Sequence, residues 1–158
     1  MGLDTYAMME NPLFHKKKAK THLWFKGEYV RPCELPDWAE VSGMAVRQCE
    51  LIRMPQKLFA EVPNVLCGGL FSGNGSGPSF RGKIYNEVIE EITGVSLYQE
   101  RIPKEVVKGM ADALGLLVAA GVNTRKCKKM GITEEELQSL AKWFKVVAAH
   151  DGLVTGWW

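Results

Sequence analysis

The sequence predicts an α+β domain in which a small sheet is packed by about three helices. Strand-like segments lie mostly in the first half of the chain, helical patterns occupy the second half, and the two kinds of segment do not alternate regularly. That order favours α+β over a parallel sheet with alternating helices. A length of 158 residues, with 46% apolar and 24% charged residues, suits a single domain over residues 1–158 with a buried core.

Short apolar segments predict the strands. Residues 2–7 suit a strand, and residues 22–30 suit a strand or a hairpin. The run NVLCGGLF, residues 64–71, predicts a buried strand, and the tail after residue 152 predicts a strand or an apolar plug. Residues 36–63 fit either a helix interrupted by a glycine or a strand that starts late, and both alternatives stay open.

Three helices are predicted in the second half of the chain. The first runs from about Phe80 to Thr93, with Ser79 as N-cap and Gly94 as the terminating residue. The second begins at Pro103 and ends at Gly121; its apolar face comprises Val106, Val107, Met110, Leu114, Leu117 and Val118. The third opens with a capping box from Thr133 to Glu136; its buried stripe comprises Leu137, Leu140, Ala141, Phe144, Val147 and Ala148.

A glycine-rich stretch, SGNGSGPSFRGK, precedes the first helix. Residues Gly77 to Lys83 match the spacing G-x-x-x-x-G-K of a nucleotide-binding loop. That motif needs a Ser or Thr hydroxyl after the lysine, and Ile84 occupies this position, where we expect it to serve the core. Nucleotide hydrolysis is therefore not predicted.

Arg81 is the residue of interest in this stretch. Helical spacing from Phe80 onward places it in the first turn, in the middle of the apolar side. A guanidinium in that position needs a partner, because an unpaired buried charge is costly. In a structural role Arg81 pairs with an acid such as Asp4 or with carbonyl groups of a neighbouring strand, which is the usual situation of a buried arginine.

In a functional role, Arg81 binds the phosphate or carboxylate group of an anionic small molecule. The loop amides, the Ser79 hydroxyl and the helix N-terminus then complete the site between residues 72 and 83. The predicted ligand-binding residues are Asn74, Gly75, Ser79, Arg81 and Lys83, with support from Asp4 and Tyr6.

Other motifs predict no chemistry. His15, His22 and His150 have no metal-ligand spacing, so neither a metal site nor a cofactor is predicted. No nucleophile signature is present, and the carboxylates follow solvated helical spacing, so the sequence leans away from an enzyme. Four dispersed cysteines without C-x-x-C, the lack of a secretory signal and the lack of a spanning segment predict a cytoplasmic protein with no membrane partner.

Two basic clusters and one aromatic pair complete the candidates. Residues 15–20 and 125–129 are lysine-rich, but the net charge is only +2, so we expect solvated surface there and no nucleic-acid partner. Trp157 and Trp158 predict packing at the core or at a sheet edge. If exposed, they would form an anchor for another subunit, either a protein partner or a second copy in a homo-oligomer.

The segments MGLDTYA, LCGGLFSGNGSGPSFRGKIY and GVSLYQE together with the final GWW resemble a group of small microbial proteins that begin in the same way. The likeness covers the first few residues and most of residues 67–158, while residues 9–63 form a variable segment. The resemblance implies kinship and carries no activity. The leading hypothesis is a binding protein with a ligand pocket at residues 72–83; the alternatives are an interaction subunit and an enzyme whose site the sequence does not reveal.

Overall fold

The computed structural model describes residues 2–11, 23–25, 28–30, 51–67, 78–121 and 125–158. Predictions that concern the basic run at 15–20, His22, the loop positions Asn74 and Gly75, and residues 36–50 lie outside these residues. The described elements follow the predicted order, with strands early and helices concentrated in the C-terminal half. The predicted α+β class is therefore confirmed.

The described strands are β1 (Asp4–Glu10), β2 (Leu23–Phe25), β3 (Glu28–Val30), β4 (Leu51–Arg53), β5 (Ser79–Arg81) and β6 (Leu153–Trp157). The described helices are α1 (Gly82–Thr93), α2 (Lys104–Ala119), α3 (Arg125–Met130) and α4 (Glu134–Ala149), with a 3₁₀ helix at Gln56–Phe59. Strands β2 and β3 pair antiparallel, so the predicted hairpin at residues 22–30 is confirmed. The predicted strands at the two ends of the chain are also confirmed, as β1 and β6.

Strand β1 is the centre of the four-stranded sheet. Along one edge it pairs with β5 near its start and with β4 near its end, and along the other edge it pairs with β6. All these pairs are antiparallel. The outer edge of β6 bonds to the extended segment before α2, where Ile102 and Val154 exchange backbone hydrogen bonds of 2.7 and 3.1 Å. Strand β6 is thus fixed on both sides.

The helices cover one face of this sheet. Alternation along β1 and β5 directs Leu3, Thr5, Ala7 and Phe80 to the helical side, where all four are fully buried. The Phe80 ring lies 4.7 Å from the Trp143 ring of α4 in an edge-on contact, and it also meets the ring of Tyr85 from α1. The core therefore joins the sheet to both helices through one aromatic cluster.

Helix ends follow local chemistry. The Thr133 hydroxyl accepts a bond from the Glu136 N–H while Glu136 accepts one from the Thr133 N–H, which confirms the predicted capping box of α4. Gly94 ends α1 in the left-handed conformation at φ 74°, as predicted, and its N–H donates to the Glu90 carbonyl. Pro103 lies one position before the first residue of α2.

Two of the predicted segments are wrong over the residues that the structure describes, while residues 68–71 of the predicted buried strand lie outside them. Residues 64–67, predicted as the start of a buried strand, form turns, because the Val65 N–H bonds the Pro63 carbonyl at 2.9 Å and only Leu66 of this run is buried. The first helix begins at Gly82, since Ser79–Arg81 pair with β1 as strand β5. Long-range strand pairing here takes precedence over the helical spacing of residues 80–84.

The apolar faces of α1 and α2 also differ from prediction. Ile84 is 36% exposed, so the expectation that the core requires it is wrong, although the position still lacks the hydroxyl of a nucleotide loop. The buried side of α1 is formed by Tyr85, Val88 and Ile89. In α2, Val106 is 37% exposed, while the rest of its predicted face is buried or half-buried.

Candidate functional site

Arg81 lies at the junction between β5 and α1. It is the N-cap residue of α1 in an extended conformation, and its side chain accepts no capping hydrogen bond from any described residue. Since Phe80 points to the helical side, alternation places Arg81 on the opposite face of the sheet. The prediction that Arg81 occupies the first helical turn on the apolar side is therefore wrong, and its side chain is 47% exposed.

The partner of Arg81 is Asp4. The two residues are directly opposite each other in the β1–β5 register, and Arg81 Nε lies 3.8 Å from Asp4 Oδ1. This distance permits an ion pair and exceeds that of a hydrogen bond. Asp4 is the acid that we named as the partner of Arg81 in a structural role. The geometry therefore favours this structural role over the binding of an external anion by a buried guanidinium.

Ser79 lies on the same face of the sheet as Arg81. It is 1% exposed, pairs directly with Tyr6, and lies diagonally across from Asp4. Within the part of the chain that the structure describes, Ser79 Oγ, Asp4 Oδ1 and Thr5 Oγ1 are buried without hydrogen-bond partners. Such groups raise the free energy of the folded state unless something bonds them.

Of the predicted ligand-binding residues, Ser79 and Arg81 lie beside the supporting residues Asp4 and Tyr6 at one end of the sheet. Lys83 is exposed on the first turn of α1, and its backbone N–H donates to the Leu3 carbonyl at 3.3 Å. This helical N–H is therefore engaged within the fold. The two loop positions predicted to supply amides lie outside the described residues.

Cys67, before the glycine-rich stretch, and Pro78, within it, are both held at this junction. On one side, the Cys67 N–H donates to the Tyr85 hydroxyl at 2.9 Å and the Cys67 carbonyl accepts from the Arg81 N–H at 3.1 Å. On the other side, the Pro78 carbonyl accepts from the Ala7 N–H at 2.6 Å. Residues 67 and 78 are thus both anchored to the β1–β5 end of the sheet.

Tyr85 links this junction to α4. Its fully buried ring places the hydroxyl 2.6 Å from Glu136 Oε2, to which the hydroxyl donates. Burial, followed by the hydrogen bond to Glu136, raises the pKa of Tyr85 far above its ordinary value. The hydroxyl stays protonated and bridges the two helices, and neither helical periodicity nor a motif predicts this contact.

A second contact that sequence reasoning missed involves Arg53 of β4. Its guanidinium carbon lies 5.0 Å from the centre of the Tyr6 ring, within the range of a cation–π interaction. Burial lowers the pKa of Arg53, and burial together with the Asp4 charge raises the pKa of Tyr6. Arg53 falls in the stretch whose secondary structure the sequence left open, so no pattern could have paired it with Tyr6.

The C-terminal strand carries an exposed aromatic surface. Trp157 is 67% exposed, Trp158 46% and Tyr98 41%, and the rings of Tyr98 and Trp158 lie 5.9 Å apart in an edge-on contact. We call these three residues the aromatic edge. Trp157 pairs directly with Asp4, so Trp157, Asp4 and Arg81 form one row across the sheet. Of the two arrangements predicted for the tryptophans, the exposed one is present.

The remaining candidate groups show no built site. Among the described residues, no three His, Cys, Asp or Glu side chains gather as metal ligands, and no helix is both long and apolar enough to cross a membrane. His150 ends α4 with Nδ1 2.9 Å from the Val146 carbonyl oxygen. Lys128 and Lys129 are exposed on α3, while the other basic cluster lies outside the described residues.

Comparison of the chain with protein-family models, with curated proteins and with solved structures finds no match in any of the three.

Proposed function

We propose that the protein acts by binding a protein partner through the aromatic edge. The observation that carries this proposal is the exposure of Trp157, 67% of whose surface faces solvent on a strand that is otherwise fixed in the sheet. Large aromatic side chains are enriched among the residues that contribute most to protein–protein binding. Burial of Trp157 and its neighbours by a partner would remove this apolar surface from water.

The aromatic edge is ordered before any partner arrives. The Gly156 N–H donates to the Gln99 carbonyl at 3.1 Å, and the Leu97 N–H donates to the Asn86 side chain at 2.6 Å. A Cβ atom on Gly156 would lie 2.8 Å from the carbonyl oxygens of Leu97 and Gln99, so only glycine permits this close approach. Binding would therefore require little ordering of the backbone beneath the aromatic rings.

The charged residues near the aromatic edge favour a protein partner over a nucleic acid or another polyanion. Asp4 lies next to Trp157 in the same row of the sheet, and Arg81 lies beyond Asp4. The exposed Glu100 and Arg101 follow Tyr98 by two and three positions. Acidic and basic groups are thus mixed, whereas nucleic-acid surfaces need clustered positive charge. A mixed rim around an apolar centre is the usual composition of a protein interface.

Site-specific photocrosslinking tests this function. A benzoylphenylalanine placed at Trp157 in cells should give one discrete adduct with another protein, and the same group at the exposed Lys128 of α3 should not. The adduct partner, once purified, should bind the wild-type chain, and Trp157→Ala should weaken that binding about tenfold or more without changing the circular dichroism spectrum. Adducts of equal pattern at both positions, or unchanged affinity of Trp157→Ala, would overturn the proposal.

Binding of a small anionic ligand beside Arg81 is the second candidate function. It is supported by the half-exposed Arg81 guanidinium and by the buried Ser79 hydroxyl, which no described residue bonds. The adjacent carboxylate of Asp4 opposes an anion, so a bound molecule would need a hydrogen-bond donor as well as a negative group. Inorganic phosphate and glycine are suitable probes: one of them should raise the melting temperature of the wild type and not of Arg81→Ala. No rise with either probe would reject this candidate.

A further inference from the structure

Helix α2 carries an exposed apolar ridge that the aromatic edge does not include. Leu116 is 73% exposed, which is the largest exposed fraction of any large apolar residue in the described part of the chain. Leu116 lines a groove of about 770 Å³ between α2 and α4 and another of about 460 Å³ between α1 and α2. The ridge therefore stands between two grooves on one face of the helical layer.

Small residues contribute to the lining of both grooves. Ala111, Gly115 and Ala148 line the groove toward α4, and Ala113 and Ala120 line the groove toward α1. A single face thus carries a projecting leucine and shallow depressions beside it. Twofold self-association requires a patch of this kind, because the same surface must supply both the projection and the space that receives it.

The two sides of the ridge differ in charge. The groove toward α1 is bordered by Glu91. The groove toward α4 is bordered by Lys108, Asp112 and Lys145. A smaller depression between the same two helices is bordered by Lys142 and Lys145. Lys108 already pairs with Asp151 at 2.8 Å, so Lys142 and Lys145 outweigh Asp112, the remaining acid among these residues, and make this side basic. The face is therefore acidic on one side of Leu116 and basic on the other.

We propose that this face binds a second copy of the chain, with the twofold axis parallel to α2. That axis brings the acidic side of one copy against the basic side of the other, twice by symmetry, while a twofold axis perpendicular to α2 would oppose lysine to lysine. The two Leu116 side chains then pack beside each other, each over a groove of the partner. This self-association is separate from the proposed function, since its elements do not include the aromatic edge.

Sedimentation velocity across a range of concentrations tests the proposal. The wild type should form a dimer that dissociates on dilution, and Leu116→Glu should weaken the dimer about tenfold or more. Because Leu116 is mostly exposed, that variant should retain the circular dichroism spectrum of the wild type. The control variants Lys128→Glu, on α3, and Trp157→Ala should dimerise like the wild type.

A charge exchange tests the direction of pairing. Glu91→Lys and Lys145→Glu should each weaken the homodimer, because each places like charges together. In an equimolar mixture of the two variants every contact becomes attractive, so dimers should return. A wild type that stays monomeric at the highest soluble concentration, a dimer indifferent to Leu116→Glu, or a mixture without restored dimer would each overturn the proposal.

Discussion

Replacement of Gly82 by alanine tests the close contact between β1 and the start of α1. Gly82 is buried, and a Cβ atom placed on it would overlap Thr5 Oγ1 and lie 3.0 Å from Leu3 Cδ2. Gly82 does not have a positive φ, so its backbone conformation is open to alanine. The barrier to alanine at this position is therefore steric. We expect Gly82→Ala to lower the free energy of unfolding.

The magnitude follows from two opposed effects. Overpacking of a buried site costs about 1–3 kcal/mol. Alanine recovers at most about 1 kcal/mol relative to glycine through helix propensity and lower entropy of the unfolded chain. The net loss should be about 1–2 kcal/mol, measured by urea denaturation followed by far-UV circular dichroism. The exposed helical Gly109 is the matched control, because an added Cβ would meet no described atom within 4 Å beyond the adjoining residues and the backbone of its own helix. Gly109→Ala should therefore stabilise the fold.

A double-mutant cycle isolates the steric cause. Thr5→Ala removes the overlapping oxygen, and the remaining contact with Leu3 involves a flexible side-chain end that can shift by a few tenths of an ångström. Gly82→Ala should therefore be almost neutral in the Thr5→Ala background, giving a coupling energy of about 1 kcal/mol or more. In the Thr5→Val background the overlap persists and so should the loss. A Gly82→Ala variant as stable as the wild type would refute the steric explanation. So would an equal loss of unfolding free energy in the wild-type and Thr5→Ala backgrounds.

Three further changes have definite expected outcomes. Tyr85→Phe should cost about 1–3 kcal/mol at neutral pH, because it removes the donor to Glu136 Oε2 and the acceptor of the Cys67 N–H. In the wild type the pKa of Tyr85 is raised by folding, so above about pH 10 this phenol ionises only in the unfolded chain. Its ionisation lowers the free energy of unfolding by up to about 1.4 kcal/mol per pH unit. Tyr85→Phe should remove this alkaline loss of stability, as denaturation at several pH values can measure. Arg81→Ala should cost no more than about 1 kcal/mol, because the Arg81 side chain is half-exposed and its distance to Asp4 is long. A larger loss in chemical denaturation would contradict this geometry. Thr133→Ala should lower the melting temperature through a loss of about 1 kcal/mol, and Thr133→Ser should restore most of it.

Sequence patterns within a few residues correctly predicted the helix ends that depend only on neighbouring residues. Thr133 and Glu136 complete their capping box within four residues, and Gly94 ends α1 because its own backbone takes a positive φ. Neither feature depends on a distant segment, so neither requires knowledge of the fold. The helix-rich C-terminal half was therefore predictable from periodicity and end signals.

Arg81 shows why the candidate site could not be predicted in the same way. Residues 79–81 are extended because β1, some 75 positions earlier in the chain, bonds to them, and no pattern within the segment reports that pairing. A helical interpretation of the same residues buries the guanidinium, whereas the strand exposes half of it. The sequence nevertheless named Asp4 as a partner, because a charged group in that position needs an acid nearby.

The exposure of Trp157 was equally beyond the sequence. A tryptophan at the end of a strand can close a core or face solvent, and the choice depends on which side the helices cover. Here α1, α2 and α4 cover the face that contains Phe80, while Trp157 shares the opposite face with Asp4 and Arg81. Composition does not encode this choice, because both environments accept an aromatic ring.

The hydrogen bonds around Tyr85 indicate which residues have a structural role in this molecule. Its hydroxyl joins α4 to the backbone of Cys67, and Cys67 in turn bonds the backbone of Arg81, so a change at any of these residues alters the others through direct hydrogen bonds. Groups so interlinked are poorly suited to rearrange around a partner. Trp157 and Leu116 project instead from elements whose backbones are already fixed, and each can be buried without breaking an internal contact of this junction. We therefore assign the two proposed associations to Trp157 and Leu116, and a structural role to Arg81, whose described partner is Asp4.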